Sequence, residues 1–200
     1  DVIYPGGPDA LDNLYKVACD ELRKVDMSMI KPTDSVNVLA SHHGFTLLGG
    51  QPYAILLKAI RDVVHEKTGT DDIRLRAGVG MRFRETEEYI KRYELDKHYG
   101  PGKTKGVAPV DEGIPIETEV GTLYGIKAIY DADWIIHAHH TDVREVHFHR
   151  QIDKAVKPFG MSYARIETRS TYHQNLGPRA ANFTARAIFE SKFVQSKFAF

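Results

Sequence analysis

Three short apolar runs, the first two separated by a long amphipathic segment, limit this chain to few architectures. Residues 36–40 are apolar apart from Asn37 and end in the cluster Ser41-His42-His43-Gly44, so they read as a buried strand followed by a loop. Residues 51–67 place Ile55, Leu56, Ala59, Ile60, Val63 and Val64 on the spacing of an amphipathic helix. Pro52 suits its first turn and Gly69 its end. Residues 73–79 alternate apolar side chains with Arg74 and Arg76, which reads as a second strand closing at Gly78 and Gly80. Residues 134–138 read as a third. Strands and helices alternating at this interval predict an α/β fold, with a mainly parallel sheet flanked by helices in a Rossmann-like three-layer domain.

The remaining segments fill in around that frame. Thr86-Glu87-Glu88 opens a helix expected to run to about Tyr99, and Cys19 sits on an expected N-terminal helix. Residues 100–106, with three glycines and a proline, read as a loop, and residues 114–120 as an extended segment that Pro115 confines to an edge or a start. Residues 123–131 read as helical, and 147–157 as one or two helical turns ended by Pro158 and Gly160. Residues 161–168 read as a weak strand and 178–192 as a last helix. The expectation is a single domain over residues 1–200. Because Phe198-Ala199-Phe200 is apolar with no turn residue after it, a C-terminal continuation is expected; the alternative is a last strand that docks into the sheet.

Composition excludes some classes of function. Lys and Arg number 27 against 27 Asp and Glu, so there is no cationic excess for sequence-independent nucleic-acid binding. With 42% hydrophobic residues and no net charge, the chain is not of the disordered class. No apolar run approaches the roughly 20 residues of a membrane-spanning helix. Cys19 is the only cysteine, so neither an intrachain disulfide nor a multi-cysteine zinc site can form, which fits a reducing, cytoplasmic setting.

Ligands of open α/β sheets gather at the carboxyl ends of strands. Eight of the ten histidines fall at or soon after such an end: His42, His43, His137, His139, His140, His147, His149 and His173. Imidazole exchanges protons near neutral pH and is the commonest metal ligand, so this concentration marks a candidate site. His137 and His139, two apart on a strand, face one side and could share a divalent metal ion; His147 and His149 repeat the spacing. Neither pair is a zinc signature. Arg82 and Arg84, after the second strand, could clamp a carboxylate or phosphate. The alternative is a polar rim of solvated histidines and surface arginines. A metal-dependent hydrolase or lyase built on the histidines has no matching motif.

The order of these motifs resembles the N-terminal domain of the lactate racemase family, whose members use a nickel-pincer nucleotide. The residues carrying the resemblance are Gly80-Met81-Arg82-Phe83-Arg84-Glu85-Thr86-Glu87-Glu88, then Gly121-Thr122-Leu123-Tyr124-Gly125-Ile126 with Ala132-Asp133-Trp134-Ile135-Ile136, and last His147-Phe148, Lys157 and His173. It covers roughly residues 36–176. The resemblance implies an isomerase that racemises a 2-hydroxy acid by hydride transfer, with a small carboxylate as substrate. It also implies a site completed by a C-terminal domain or a second copy. His147 would exchange the hydroxyl proton, Lys157 would tether the pincer ring and His173 would ligate nickel. Three positions depart from the pattern. Arg82 stands where the family has its second histidine base, His42-His43-Gly44-Phe45 stands at its phosphate clamp, and Ala155-Val156 replaces a glycine pair. His42 or His43 is then the candidate for the missing base. A metal- or anion-binding domain that has lost the racemase chemistry is the alternative.

Overall fold

Four parallel strands form the central sheet, in the order β3-β2-β1-β6. The structure, a computed structural model, describes residues 10–47, 50–79, 85–139, 151–171 and 181–200. The strands are β1 (Val36–Ser41), β2 (Ile73–Gly78), β3 (Thr104–Val107) and β6 (Trp134–His137). Helices α1 (Ala10–Leu22), α2 (His42–Leu47), α3 (Gln51–Thr68), α4 (Glu85–Arg92) and α5 (Leu95–Tyr99) occur between or before the first three strands. The hairpin of β4 (Gly113–Thr118) and β5 (Gly121–Ile126) and helix α6 (Lys127–Tyr130) precede β6. Helices α7 (Gln151–Gly160), α8 (Ile166–Thr171), α9 (Ala181–Phe189) and α10 (Lys192–Gln195) follow it.

The period of two along each strand sorts side chains between two cores. Val36, Val38 and Ala40 of β1, with Ile73, Leu75 and Ala77 of β2, join α1 and α3 in one core. Leu39 and Ile135 point the other way, into a core with Ile116, Ile126, Ile129, Phe159, Tyr163 and Ile188. Sheet and two covering layers thus give the α/β architecture expected. Arg76, on the second face of β2, is buried, and its guanidinium donates to the carbonyls of Ala128 and Lys103.

Several segments fold differently from their local reading. Residues 42–47 form helix α2 rather than a loop, because Phe45 finds partners: it stacks on Tyr89 at 5.2 Å and meets Tyr53 edge-on at 5.0 Å. Gly44 permits that packing, since a Cβ there would lie 2.3 Å from the Tyr53 ring. The helix expected over 86–99 breaks at Glu94, whose φ of 54° is left-handed. Part of the 100–106 loop is strand β3, recruited by the free edge of β2. Residues 123–126 belong to β5 rather than a helix, since β4 offers a ladder from Gly113 to Thr118. In place of a strand at 161–168 there is a single bridge, Gly125 to Ala164, and then helix α8. Residues 197–200 pair in parallel with β6: Ile135 N–H donates to Lys197 O and Ala199 N–H returns to Ile135 O. Among the described residues, no helix is long and apolar enough to cross a membrane.

Candidate functional site at the carboxyl edge of the sheet

The chain runs from β1 to β2 on one side and later to β6 on the other. The carboxyl ends of β1 and β6 therefore flank the reversal of strand order, where open α/β sheets form a crevice. Leu39 lies level with His137, and Ser41 with Gly78, so the residues just beyond these partners form one rim.

Tyr53 ties the ends of β1 and β6 together. Its buried hydroxyl accepts from Ser41 N–H at 3.3 Å and donates to Ala138 O at 2.6 Å. Burial pushes its phenol pKa up, so the hydroxyl keeps its proton.

His137 continues the second face of β6. Its ring meets Phe159 and Tyr163 edge-on, and its Nδ1 lies 3.2 Å from the Tyr163 hydroxyl. His139, two residues on, stacks on it with ring centroids 5.1 Å apart and planes 14° apart. Part of the His137 side chain is exposed, but its Nε2 is closed off from solvent and, the nearby Ala155 backbone notwithstanding, makes no well-formed hydrogen bond among the described residues. Burial, helped by the neighbouring His139, pushes the imidazole pKa down to about 3, against a weaker opposing effect of the Ala155 backbone. His137 is accordingly uncharged near neutral pH. Tyr163 reaches this position because the turn before it packs on Gly78, where a Cβ would stand 2.3 Å from Ser162 O.

At the end of β1, His42 opens α2 and its Nε2 lies 3.2 Å from Glu85 Oε2, at the start of α4. Beyond β2, Arg169 is buried and donates to Val79 O and Ala164 O. Burial lowers its pKa to about 10, which still leaves a cation at this edge near neutral pH.

Of the residues singled out from sequence, the structure brings His137 and His139 into contact and sets His42 at the same carboxyl edge, but beside Tyr89 and Phe45 of the first core, whereas His137 packs on Phe159 and Tyr163 of the second. Lys157 is half-buried on α7; Phe159 is the α7 side chain that meets His137, and Lys157, two positions earlier, is turned roughly 160° from it. Arg82, Arg84, His147 and His173 lie outside the described residues. Among the described residues, no group of three or more His, Cys, Asp or Glu side chains stands close enough to hold a metal ion; His137 and His139 remain a pair. Sequence reasoning missed Glu85, Tyr53, Tyr163 and Arg169 as parts of this rim. Only Glu85 carried a signal, three residues after Arg82, and it reads there as an ordinary acidic helix start.

Comparison with protein-family models and with curated proteins finds no match to this sequence.

Proposed function

We propose that the chain is the binding and proton-handling domain of a lactate-racemase-like isomerase acting on a 2-hydroxy acid, with its site across the carboxyl ends of β1, β2 and β6. The observation that carries this reading is the stacked pair His137–His139 at the reversal of strand order, with a solvent-excluded Nε2 on His137 that has no hydrogen-bond partner among the described residues. A buried imidazole nitrogen without a partner is a costly feature that an incoming ligand relieves. A neutral imidazole oriented through its other nitrogen also fits a divalent metal.

In this reading Lys157, its side chain swung from the α7 face opposite Phe159 toward the rim, would tether a nickel-pincer nucleotide, His173 would ligate its nickel, and His137 and His139 would offer further nitrogen donors. When bound, that group supplies the acceptor for a hydride from the α-carbon. The chain's own residues do the rest. Arg82 and Arg84 draw the substrate carboxylate, and His147 and His42 take up and return the hydroxyl proton.

The second reading is a metal- or anion-binding domain that has lost this chemistry. It is favoured by one observation, the lowered pKa of His137, which suits a ligand and not an acid or base.

The test is metal analysis and intact mass of the chain purified from its native host, with racemisation of L-lactate followed by chiral chromatography. Nickel, added mass on Lys157 and racemisation that Lys157→Ala abolishes would support the isomerase. Metal that His173→Ala or His137→Ala removes, without added mass or turnover, would leave the binding domain. Absence of both metal and turnover would reject the isomerase and the metal-binding form of the second reading, and absence of phosphate binding by calorimetry would reject its anion-binding form.

A further inference from the structure

The described residues hold three contacts between a histidine and a carboxylate, and they are not equivalent. His98 Nε2 meets Asp62 at 2.9 Å, and His65 Nδ1 meets Asp71 at 3.3 Å. Both histidines lie near the carboxyl ends of helices that lead into strands, α5 into β3 and α3 into β2, so these contacts sit toward the amino edge of the sheet. His42 and Glu85 are the pair at the carboxyl edge. Each is the first residue of its helix, and the β1 and β2 ends below them lie level through Ser41 and Gly78.

We propose that His42 and Glu85 form a proton-transfer dyad, with His42 the general base and Glu85 the positioning residue that sets its tautomer. This rests on the isomerase reading of the same rim. Both side chains are about a quarter exposed, at 23% and 26%, so the pair is partly desolvated yet reachable. The Glu85 Oε2 that faces the ring is closed off from solvent, and its 3.2 Å approach to Nε2 is an ion-pair contact rather than an aligned hydrogen bond. Tyr89 packs against the ring with centroids 5.9 Å apart and is in turn stacked on Phe45, which fixes the ring between α2 and α4. A carboxylate oxygen 3.2 Å from Nε2 favours the tautomer with its proton on that nitrogen, and the lone pair is then left on Nδ1. No hydrogen bond to Nδ1 is formed among the described residues. Nδ1 then takes the proton of a substrate hydroxyl; the O–H bond breaks, its electron pair stays on oxygen, and the N–H bond forms. The imidazolium is held by Glu85 until the proton returns. A base oriented by a carboxylate through its second nitrogen is a recurrent catalytic device.

The experiment labels the histidines with 15N and reads the tautomer of His42 at about pH 8, where an ordinary imidazole is neutral. The full chain is expected to show His42 with its proton on Nε2, Glu85→Ala to collapse that preference to a mixture, and Glu85→Gln, whose amide oxygen still accepts, to keep it. On holoenzyme turning over L-lactate, Glu85→Ala and His42→Gln are expected to lower kcat by about 10² with KM nearly unchanged, and Glu85→Gln by about tenfold. His98→Gln is expected to leave kcat as it was. A wild-type His42 with its proton on Nδ1, or a Glu85→Ala variant with unchanged tautomer and kcat, overturns the dyad. If the holoenzyme does not racemise lactate, the isomerase reading fails separately, and the tautomer alone decides the Glu85–His42 arrangement.

Discussion

The two edges of the central sheet are built from different chemistry. At the amino edge, charge is matched by charge or by hydrogen-bond donors. Asp72 pairs with both Arg74 and Lys103. Asp133 accepts from Ser35 N–H at 2.9 Å and Oγ at 2.8 Å, and Asp34 accepts from Trp134 Nε1 at 2.9 Å. At the carboxyl edge the partners are imidazoles, phenols and backbone carbonyls, and among the described residues His137 Nε2 is left without one. Paired charges hold strands in register and have little left to offer a ligand. A buried, unsatisfied nitrogen does the reverse: it costs stability in the free protein and gives binding something to gain.

The largest test of that contrast is acid. Burial sets the His137 pKa near 3 in the folded chain against an ordinary 6.5, so between these values the unfolded chain binds more protons than the folded one. Its contribution is therefore complete above pH 6.5 and is lost as the pH falls toward 3. Between about pH 7 and about pH 4 the loss is expected to be about 3 kcal/mol. Urea unfolding across that range measures it. His137→Leu is expected to start less stable at neutral pH, since Tyr163 loses its partner, but to lack this part of the slope. An unchanged slope would show that the carboxyl edge is not the acid-sensitive one.

That edge was only partly legible from the residues. Strands β1, β2 and β6 and helix α3 stood out because each carries its periodicity within a few residues. The placement of His137 beside His139 followed from strand alternation alone. The contacts that make the rim did not. Tyr53 reaches Ala138 across 85 positions, and Tyr163 reaches His137 across 26, through close approaches at Gly44 and Gly78 that no local pattern announces. Helix α2 was hidden because His42-His43-Gly44 has the composition of a turn, and only packing of Phe45 on Tyr89 and Tyr53 overrides it. Strand β5 was misread because Leu123, Ile126, Ile129 and Tyr130 also fit a helical spacing, and the ladder with β4 decides between the two.

A second, smaller test concerns the Tyr53 latch. Tyr53→Phe keeps the ring against Phe45 and Gly44 but leaves Ser41 N–H and Ala138 C=O without this partner. About 2 kcal/mol of stability is expected to be lost, seen as a lower urea midpoint with an unchanged slope. Because the hydroxyl joins the ends of β1 and β6, the proposed ligand binding at the rim should weaken as well, which separates it from a core substitution of equal cost.

The smallest effect is expected at the amino edge. The Asp72 carboxylate is held down to about 2 from an ordinary 3.8, first by its hydrogen bonds from Arg74 and then by Lys103. The folded chain here binds fewer protons than the unfolded one below pH 3.8, so this contribution is present above 3.8 and fades as the pH drops toward 2. Asp72 is about one-third exposed, at 33%, so solvent screens much of the interaction. Asp72→Asn is expected to cost about 1 kcal/mol at neutral pH and nearly nothing at about pH 2. The His42 tautomer and any turnover at the rim should be untouched, because Asp72 precedes β2 and the rim follows it. An Asp72→Asn variant that changed turnover more than stability would mean that the two edges are coupled through the strands and that the division of labour drawn between them is wrong.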